Sequence, residues 1–257
     1  MSNIVYFASD LHLGVDARLA SAERERLFVR WLEEVVRPDA DVLYLMGDVF
    51  EFWFEYRRVV PRGFVRILGK LAELRDEGLE IHYFTGNHDL WMGDYFPVEL
   101  GIPLHHRPER IMLGDKHLLI GHGDGLGPGD TGYKRMKRVF RNPAAQWAYA
   151  RLHPNFAIGL AERVAGVSRS HTGTSEDEFL GADREWLVQY CERKLASHPE
   201  LEYFVFGHRH LPIDLQLSNG HSRYINLGDW LNFQSYARWD GQQLSLEFFE
   251  SERRVFP

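Results

Sequence analysis

Cysteine is almost missing from this sequence: Cys191 stands alone among 257 residues. A single thiol excludes an internal disulfide and fits a reducing compartment. Cys191 falls inside a helical pattern with no partner and reads as a packing residue. Long apolar runs are missing too, and none approaches the roughly 20 residues a membrane span needs. No basic segment followed by an apolar one precedes the first strand, so no secretory leader is expected, and the chain is expected to be soluble and cytoplasmic. There is no excess of positive charge: 30 Lys and Arg face 37 Asp and Glu, for a net charge of −7. Nothing global therefore suggests a nucleic-acid binder. Solenoid repeats and low-complexity tracts are also absent.

What the chain does have is a core. Hydrophobic residues make up 44% and aromatic residues 14% of it, which argues against disorder and supports one large α/β domain with room for an inserted subdomain. It also has 13 histidines, and several of them stand at the ends of apolar runs.

The apolar run Val42-Leu43-Tyr44-Leu45-Met46 ends in Gly47-Asp48, the pattern of a strand buried on both faces that turns sharply at its C-terminal end. That edge is where open α/β sheets bind ligands, and the two oxygens of Asp48 can bridge two cations. The same punctuation recurs. A strand over Ile4–Ala8 runs into Asp10-Leu11-His12, whose alternate side chains point the same way in extended chain. A strand over Glu80–Thr85 runs into Gly86-Asn87-His88-Asp89, where Asn87 offers a carbonyl ligand and His88 a proton donor. A hairpin turning at Gly114-Asp115 ends in Gly121-His122-Gly123, and Tyr203–Phe206 delivers Gly207-His208-Arg209-His210. Between the first strands, Leu27, Phe28, Trp31, Leu32, Val35 and Val36 form one helical stripe, and Phe64, Val65, Leu68, Leu71 and Leu74 a second. A short strand is expected at Ile102–Leu104, a helix from Trp186 to Leu195, and hairpins turning at Asn219-Gly220 and Asp240-Gly241. The cluster from Phe50 to Phe54 is either core or one wall of an apolar groove.

Asp10, His12, Asp48, Asn87, His122, His208 and His210 make a mixed oxygen and nitrogen donor set without thiolate. That chemistry points toward Mn, Fe or catalytic Zn and away from a structural zinc site. Seven donors are too many for one ion and suit two ions sharing one carboxylate, the usual arrangement for displacement at phosphorus.

Residues 125–180 differ in character. Gly125 to Gly129 breaks regular structure, and helical segments are expected near 133–141, 143–152 and 156–166. Between Tyr133 and Ser170 eight basic residues face one acid, Glu162, and Phe140, Trp147, Tyr149, Leu152 and Phe156 lie among them. This is either a solvated basic insertion or a cap for an anionic, partly apolar substrate or an anionic membrane surface.

Together, Asp10-x-His12, Gly47-Asp48, Gly86-Asn87-His88-Asp89, Gly121-His122 and Gly207-His208-Arg209-His210 resemble the five ordered motifs of the calcineurin-like metallophosphoesterases. The resemblance implies an α/β, four-layer fold: a β-sandwich flanked by helices, formed by 1–124 and 181–257, with 125–180 inserted as a helical cap. It implies one metal on Asp10, His12, Asp48 and His210, and another on Asp48, Asn87, His122 and His208, with Mn²⁺ expected ahead of Fe or Zn. His88 would protonate the leaving group or steady the phosphate, and Asp89 would orient it. Arg209 need not be functional.

Within the family, the size, the Ala-Ser-Asp-Leu-His-Leu-Gly start and the basic insertion look most like the branch of lipid A synthesis that cleaves a UDP-linked, diacylated glucosamine to UMP and the sugar 1-phosphate. Lys134, Arg138, Trp147, Arg151 and Phe156 would then meet substrate, and the cap could touch the inner face of the inner membrane. His88 departs from the Arg which that branch usually carries. The resemblance therefore leaves open another nucleotide-linked or phospholipid substrate, and a generic phosphodiesterase.

Overall fold

Successive residues of a strand face opposite sides, and in the first strand both sides are apolar. In β1 (Val5–Ala8), Val5 and Phe7 point one way and Tyr6 and Ala8 the other, all buried. Both faces of its sheet must therefore be covered. The computed structural model, which describes residues 3–127, 137–140, 142–161, 179 and 181–256, shows how.

A six-stranded sheet has the order β11-β10-β1-β2-β3-β4, with β2 (Val42–Leu45), β3 (Glu80–Phe84), β4 (Leu104–His105), β10 (Ser235–Trp239) and β11 (Leu244–Phe248). Its first four strands in sequence run parallel, and β10 and β11 close one side antiparallel. A five-stranded sheet has the order β5-β6-β7-β9-β8, with β5 (Glu109–Leu113), β6 (Lys116–Gly121), β7 (Leu201–Phe206), β8 (Pro212–Gln216) and β9 (Arg223–Leu227). Here β6, β7 and β9 are parallel, and the hairpins β5–β6 and β8–β9 flank them.

Val5, Phe7, Val42 and Phe84 of the first sheet pack against Leu118, Ile120, Val205 and Ile225 of the second. The outer face of the first sheet buries Tyr6, Leu43 and Ile81 against Phe28 and Trp31 of α1 (Ser21–Trp31) and Ile67, Leu71 and Leu74 of α2 (Val65–Asp76). The outer face of the second buries Phe204, Phe206 and Tyr224 against Leu187, Cys191 and Leu195 of the helix Trp186–Ser197. The result is four layers, helix–sheet–sheet–helix, as the sequence implied. Cys191 packs in the last of them.

Some details differ from expectation. Ile67 holds the inner face of α2, whereas Val65 is 77% exposed: the spacing 64, 67, 71, 74 is the one that stays on one helical face. The edge strand β4 begins at Leu104, where pairing with Tyr83 starts. A short helix, α3 (Tyr95–Glu99), precedes it and buries Phe96. In the basic stretch, helical segments occupy 137–140, Pro143–Tyr149 and 154–161. Residues 150–152 form a turn instead of continuing the helix, and Lys134, Pro128, Gly129 and residues 133, 135, 136, 141 and 162–166 lie outside the described residues. Among the described residues no helix is long and apolar enough to cross a membrane.

Candidate metal centre

Six parallel strands, three from each sheet, deliver their C-terminal ends to one edge of the sandwich. Asp10 follows β1, Asp48 follows β2 and Asn87 follows β3. From the second sheet, His122 follows β6, His208 and His210 follow β7, and Asp229 follows β9. Backbone bonds lock these turns together: Asp10 N donates to Gly47 O at 3.0 Å, His12 N to Asp48 O at 2.9 Å and Gly207 N to His122 O at 2.9 Å. The glycines that punctuate the motifs make room. A Cβ on Gly86 would lie 2.7 Å from the backbone nitrogen of Asp48, and one on Gly207 2.5 Å from Asp10 Oδ2. Five of the seven donor residues also hold left-handed backbone: Asp10, His12, Asp48, His208 and His210 have φ of 56°, 47°, 52°, 67° and 54°. Such conformations cost energy and cluster where function demands them.

The seven predicted donors converge in two groups. Ligand atoms of Asp10, His12 and His210 lie within 4.8 Å of one another, as do those of Asp48, His122 and His208. His12, Asp48 and His88 form a third such group between them. Asn87 joins the second, its Oδ1 3.2 Å from His122 Nε2.

Hydrogen bonding fixes which atoms face inward. His12 Nδ1 meets Glu51 Oε2 at 2.9 Å, His210 Nδ1 meets Asp229 Oδ2 at 3.3 Å, and His122 Nδ1 meets the Met46 carbonyl at 2.9 Å. These partners only accept, so each Nδ1 carries the proton and each neutral ring turns its Nε2 lone pair toward the centre. His12 Nε2 and His210 Nε2 then face each other at 3.2 Å, and Asp10 Oδ1, 3.4 Å from His210 Nε2, is buried without a hydrogen bond. His122 Nε2 likewise faces Asp48 Oδ2 at 3.2 Å as well as Asn87 Oδ1. Lone pairs crowded on lone pairs, with an orphaned carboxylate oxygen among them, fit a bound cation.

Without a metal, protons take that place. Burial disfavours the charged form of His122, yet Asp48 overrides it and raises the ring to about 10. His210 rises against the same penalty to about 9, through Asp229 and Asp10. Burial, then the charge on His122, lower His208 to about 4. Burial opposes ionisation of Asp10, but His12 and His210 hold it at about 2. Ligation needs neutral imidazole, so a divalent ion binding at pH 7 is expected to expel about two protons, from His122 and His210. Affinity should rise with pH up to the 9–10 range. Calorimetry of Mn²⁺ binding in buffers of different ionisation enthalpy measures this; binding without proton release would contradict it.

One expectation is corrected. Asp89 does not orient His88: its oxygens accept from Gly86 N at 2.7 Å, Val49 N at 3.0 Å and Tyr83 Oη at 2.5 Å. It staples the turns after β2 and β3, and these partners, not an imidazole, take its hydrogen bonds. Glu51 takes the orienting place. His88 Nδ1 lies 3.1 Å from the Glu51 carbonyl and 3.5 Å from Oε1, while Oε2 holds His12. Burial opposes the charge on His88, but Asp48 and Glu51 raise it to about 9.

Sequence reasoning missed Glu51, Asp229 and Arg24. Asp229 follows Gly228 and so shares the glycine-and-acid punctuation, whereas Glu51, three residues past Asp48 among aromatics, does not. Arg24 carried no such signal. It is fully buried in α1 and donates to the carbonyls of Leu11 (2.7 Å), His12 (2.7 Å), Val15 (2.6 Å) and Leu19 (3.0 Å), holding the first ligand loop. Its neighbour Glu25 accepts from Arg66 N and Ile67 N, capping α2. Arg209, between two donors, is bound bidentately by buried Glu185 at 2.9 Å through both nitrogens, which ties the His208–His210 turn to the helix Trp186–Ser197.

The centre has two unlike flanks. Beyond Glu51, Phe52 and Phe54 meet Tyr149, and Trp91 packs on Tyr149 at 4.7 Å and on Phe140 at 5.3 Å. Phe50 and Trp53 are core, whereas Phe52 and Phe54 carry the cluster toward the basic stretch through Tyr149. Trp147 and Phe156 are each 61% exposed on this side, with the Arg151 guanidinium 4.4 Å over the Trp147 ring. Beyond His122 the walls are charged instead, and Arg138 lies there with Arg107 and Lys137.

No family model matches the chain. Among solved structures it resembles Yfce, a phosphoesterase from E. coli (18% identity, 94% of this chain and 91% of that one, TM-score 0.46). It also resembles an archaeal phosphodiesterase (11% identity, 95% and 99%, TM-score 0.45). Curated sequences are far nearer. A UDP-2,3-diacylglucosamine hydrolase of Porphyromonas gingivalis is 42% identical over 97% of this chain and 99% of its own. Namesakes from Ectopseudomonas mendocina (30%, 96% and 98%) and Pseudomonas putida strain W619 (31%, 96% and 99%) also match end to end. With that identity along its whole length, and with the motifs' donors gathered at one edge, the chain belongs to the UDP-2,3-diacylglucosamine hydrolases.

Proposed function

We propose that this chain hydrolyses the diphosphate of UDP-2,3-diacylglucosamine to UMP and 2,3-diacylglucosamine 1-phosphate, a step of lipid A synthesis, at the cytoplasmic face of the inner membrane. The observation that carries the reading is the convergence at Asp48, whose carboxylate stands between the two donor groups, 3.2 Å from His122 Nε2 and 3.9 Å from His12 Nε2. In this reading Asp10, His12, Asp48 and His210 hold one ion, and Asp48, Asn87, His122 and His208 the other, with Mn²⁺ the expected metal. When bound, the pair supplies charge to the phosphoryl oxygens and acidifies water.

The chain's own groups do the rest. Glu51 engages Nδ1 of His88 and leaves Nε2 free to give a proton to the departing oxygen as water adds across the P–O–P linkage. Residues 125–180 act as the cap, and Trp147, Phe156 and the aromatic flank beyond Glu51 shelter the acyl chains, with Arg151 near the headgroup. The same exposed apolar and basic side chains would touch an anionic leaflet.

The test is UMP release from UDP-2,3-diacylglucosamine with Mn²⁺. Release is expected at low enzyme, with loss on chelation and return on metal addition. His88→Ala should lower kcat by about 10²- to 10⁴-fold while two ions stay bound; loss of metal in that variant would overturn the acid role. Silence on the lipid with brisk turnover of bis-p-nitrophenyl phosphate would replace the substrate and keep the centre.

A further inference from the structure

On the His122 side of the centre lies a cavity of about 380 Å³, walled by the turn after β3, the segment before β5, the turn after β6 and the first helical residues of the basic stretch. That volume suits one polar ligand of moderate size and is small for two acyl chains. Its lining is unlike the aromatic flank across the centre. Lys137 pairs with Asp124, and His106 Nδ1 faces the Thr85 hydroxyl at 3.1 Å. Arg107 and Arg138 also line it. Among the described residues neither meets a carboxylate, although the chain as a whole is acidic. Two guanidinium groups that meet no carboxylate among the described residues, beside a phosphoryl-transfer centre, form a phosphate-reading edge, since arginine matches phosphate oxygens bidentately. Thr85 and His106 add hydroxyl and imidazole edges suited to a ribose or a base.

We infer that this cavity binds the nucleoside monophosphate half of the substrate, so that the substrate lies across the metal pair in one direction: nucleotide over His122, acyl chains over Phe52 and Tyr149. The inference rests on the reading of the substrate as a nucleotide-linked diphosphate. It assigns Arg107, which no sequence motif marked, to nucleotide recognition.

The experiment is calorimetric titration of the Mn²⁺-loaded protein with UMP, with glucosamine 1-phosphate and with inorganic phosphate. It compares wild type with Arg107→Gln and Arg138→Gln, two exposed positions whose loss should leave the fold intact. UMP affinity is expected to fall by about tenfold in each variant, with inorganic phosphate falling in the same direction, while glucosamine 1-phosphate, which belongs on the opposite flank, changes by less than about twofold. An equal loss for all three ligands would reduce the cavity to general anion attraction and overturn the inference. So would UMP binding indifferent to both substitutions, or no UMP binding in wild type. Because binding is read without turnover, the two readings fail separately. Hydrolysis of the UDP-lipid with UMP affinity unmoved by Arg107 sinks only the cavity assignment. Arg107-dependent UMP binding in a protein silent on the UDP-lipid sinks only the substrate.

Discussion

Asp48→Ala is expected to lower kcat by at least about 10³-fold, roughly 4 kcal/mol of barrier and more than the loss of any other single donor. The reason is geometric. Oδ2 of Asp48 faces both His122 and His12, while Oδ1 accepts from His88 N at 2.9 Å. Removing the side chain takes a donor from both groups at once and releases the backbone of the proposed acid. Alanine also fits poorly at a φ of 52°. Asp48→Asn is the cleaner companion, because it keeps the turn and the acceptor for His88 N and loses only the charge and one oxygen. Turnover assays beside metal analysis by mass spectrometry decide the matter. Near-normal turnover in either variant with two ions retained would refute the bridge.

Arg24→Ala should cost at least about 4 kcal/mol of folding stability and also weaken Mn²⁺ binding. Four carbonyls receive this one guanidinium, two of them from Leu11 and His12 inside a ligand loop. Each buried acceptor left unsatisfied costs about 1–3 kcal/mol, tempered by whatever water enters the space. Arg24→Lys should recover less than half of the loss, because a single ammonium cannot span acceptors a planar fork reaches. Urea unfolding of the metal-free protein gives the stability. Metal titration of the folded variants gives the second effect, which ordinary core damage far from the loop would not produce. A loss under about 1 kcal/mol would show that water replaces the guanidinium, and that Arg24 is dispensable to the loop.

The centre was more legible in the sequence than the scaffold that aims it. Each donor follows a strand end, and Asp48, Asn87, His122 and His208 stand next to a glycine; the structure explains why that signal is local. Gly86 and Gly207 must lack a side chain because the carboxylates of Asp48 and Asp10 occupy the space. The hairpins at Gly114-Asp115 and Asn219-Gly220 were legible for similarly local reasons, since turn geometry is set by the residues that make it. Arg24 and Glu25 were not, because from within α1 they look like its solvated face. Their partners, a ligand loop and the first turn of α2, arrive only through tertiary packing. The motif also announced Asp89 without saying which nitrogens it serves, and it serves Gly86 and Val49 rather than His88. Helix α3 carried Pro97 and too few turns to show a period. The basic stretch announced its chemistry by composition, and composition does not place side chains.

The left-handed turns limit what this edge of the protein can become. Aspartate, asparagine and histidine enter that conformation more readily than other side-chain-bearing residues, and they are also hard or borderline ligands. Glutamate and cysteine bind metals too, but the turns select against them at Asp10, His12, Asp48, His208 and His210. A mutational path toward a softer, thiolate-rich centre would have to rebuild the loops before it gained a ligand. The backbone thus acts as a filter on inorganic chemistry, keeping descendants of this sequence among oxygen- and nitrogen-loving metals while their substrates diversify.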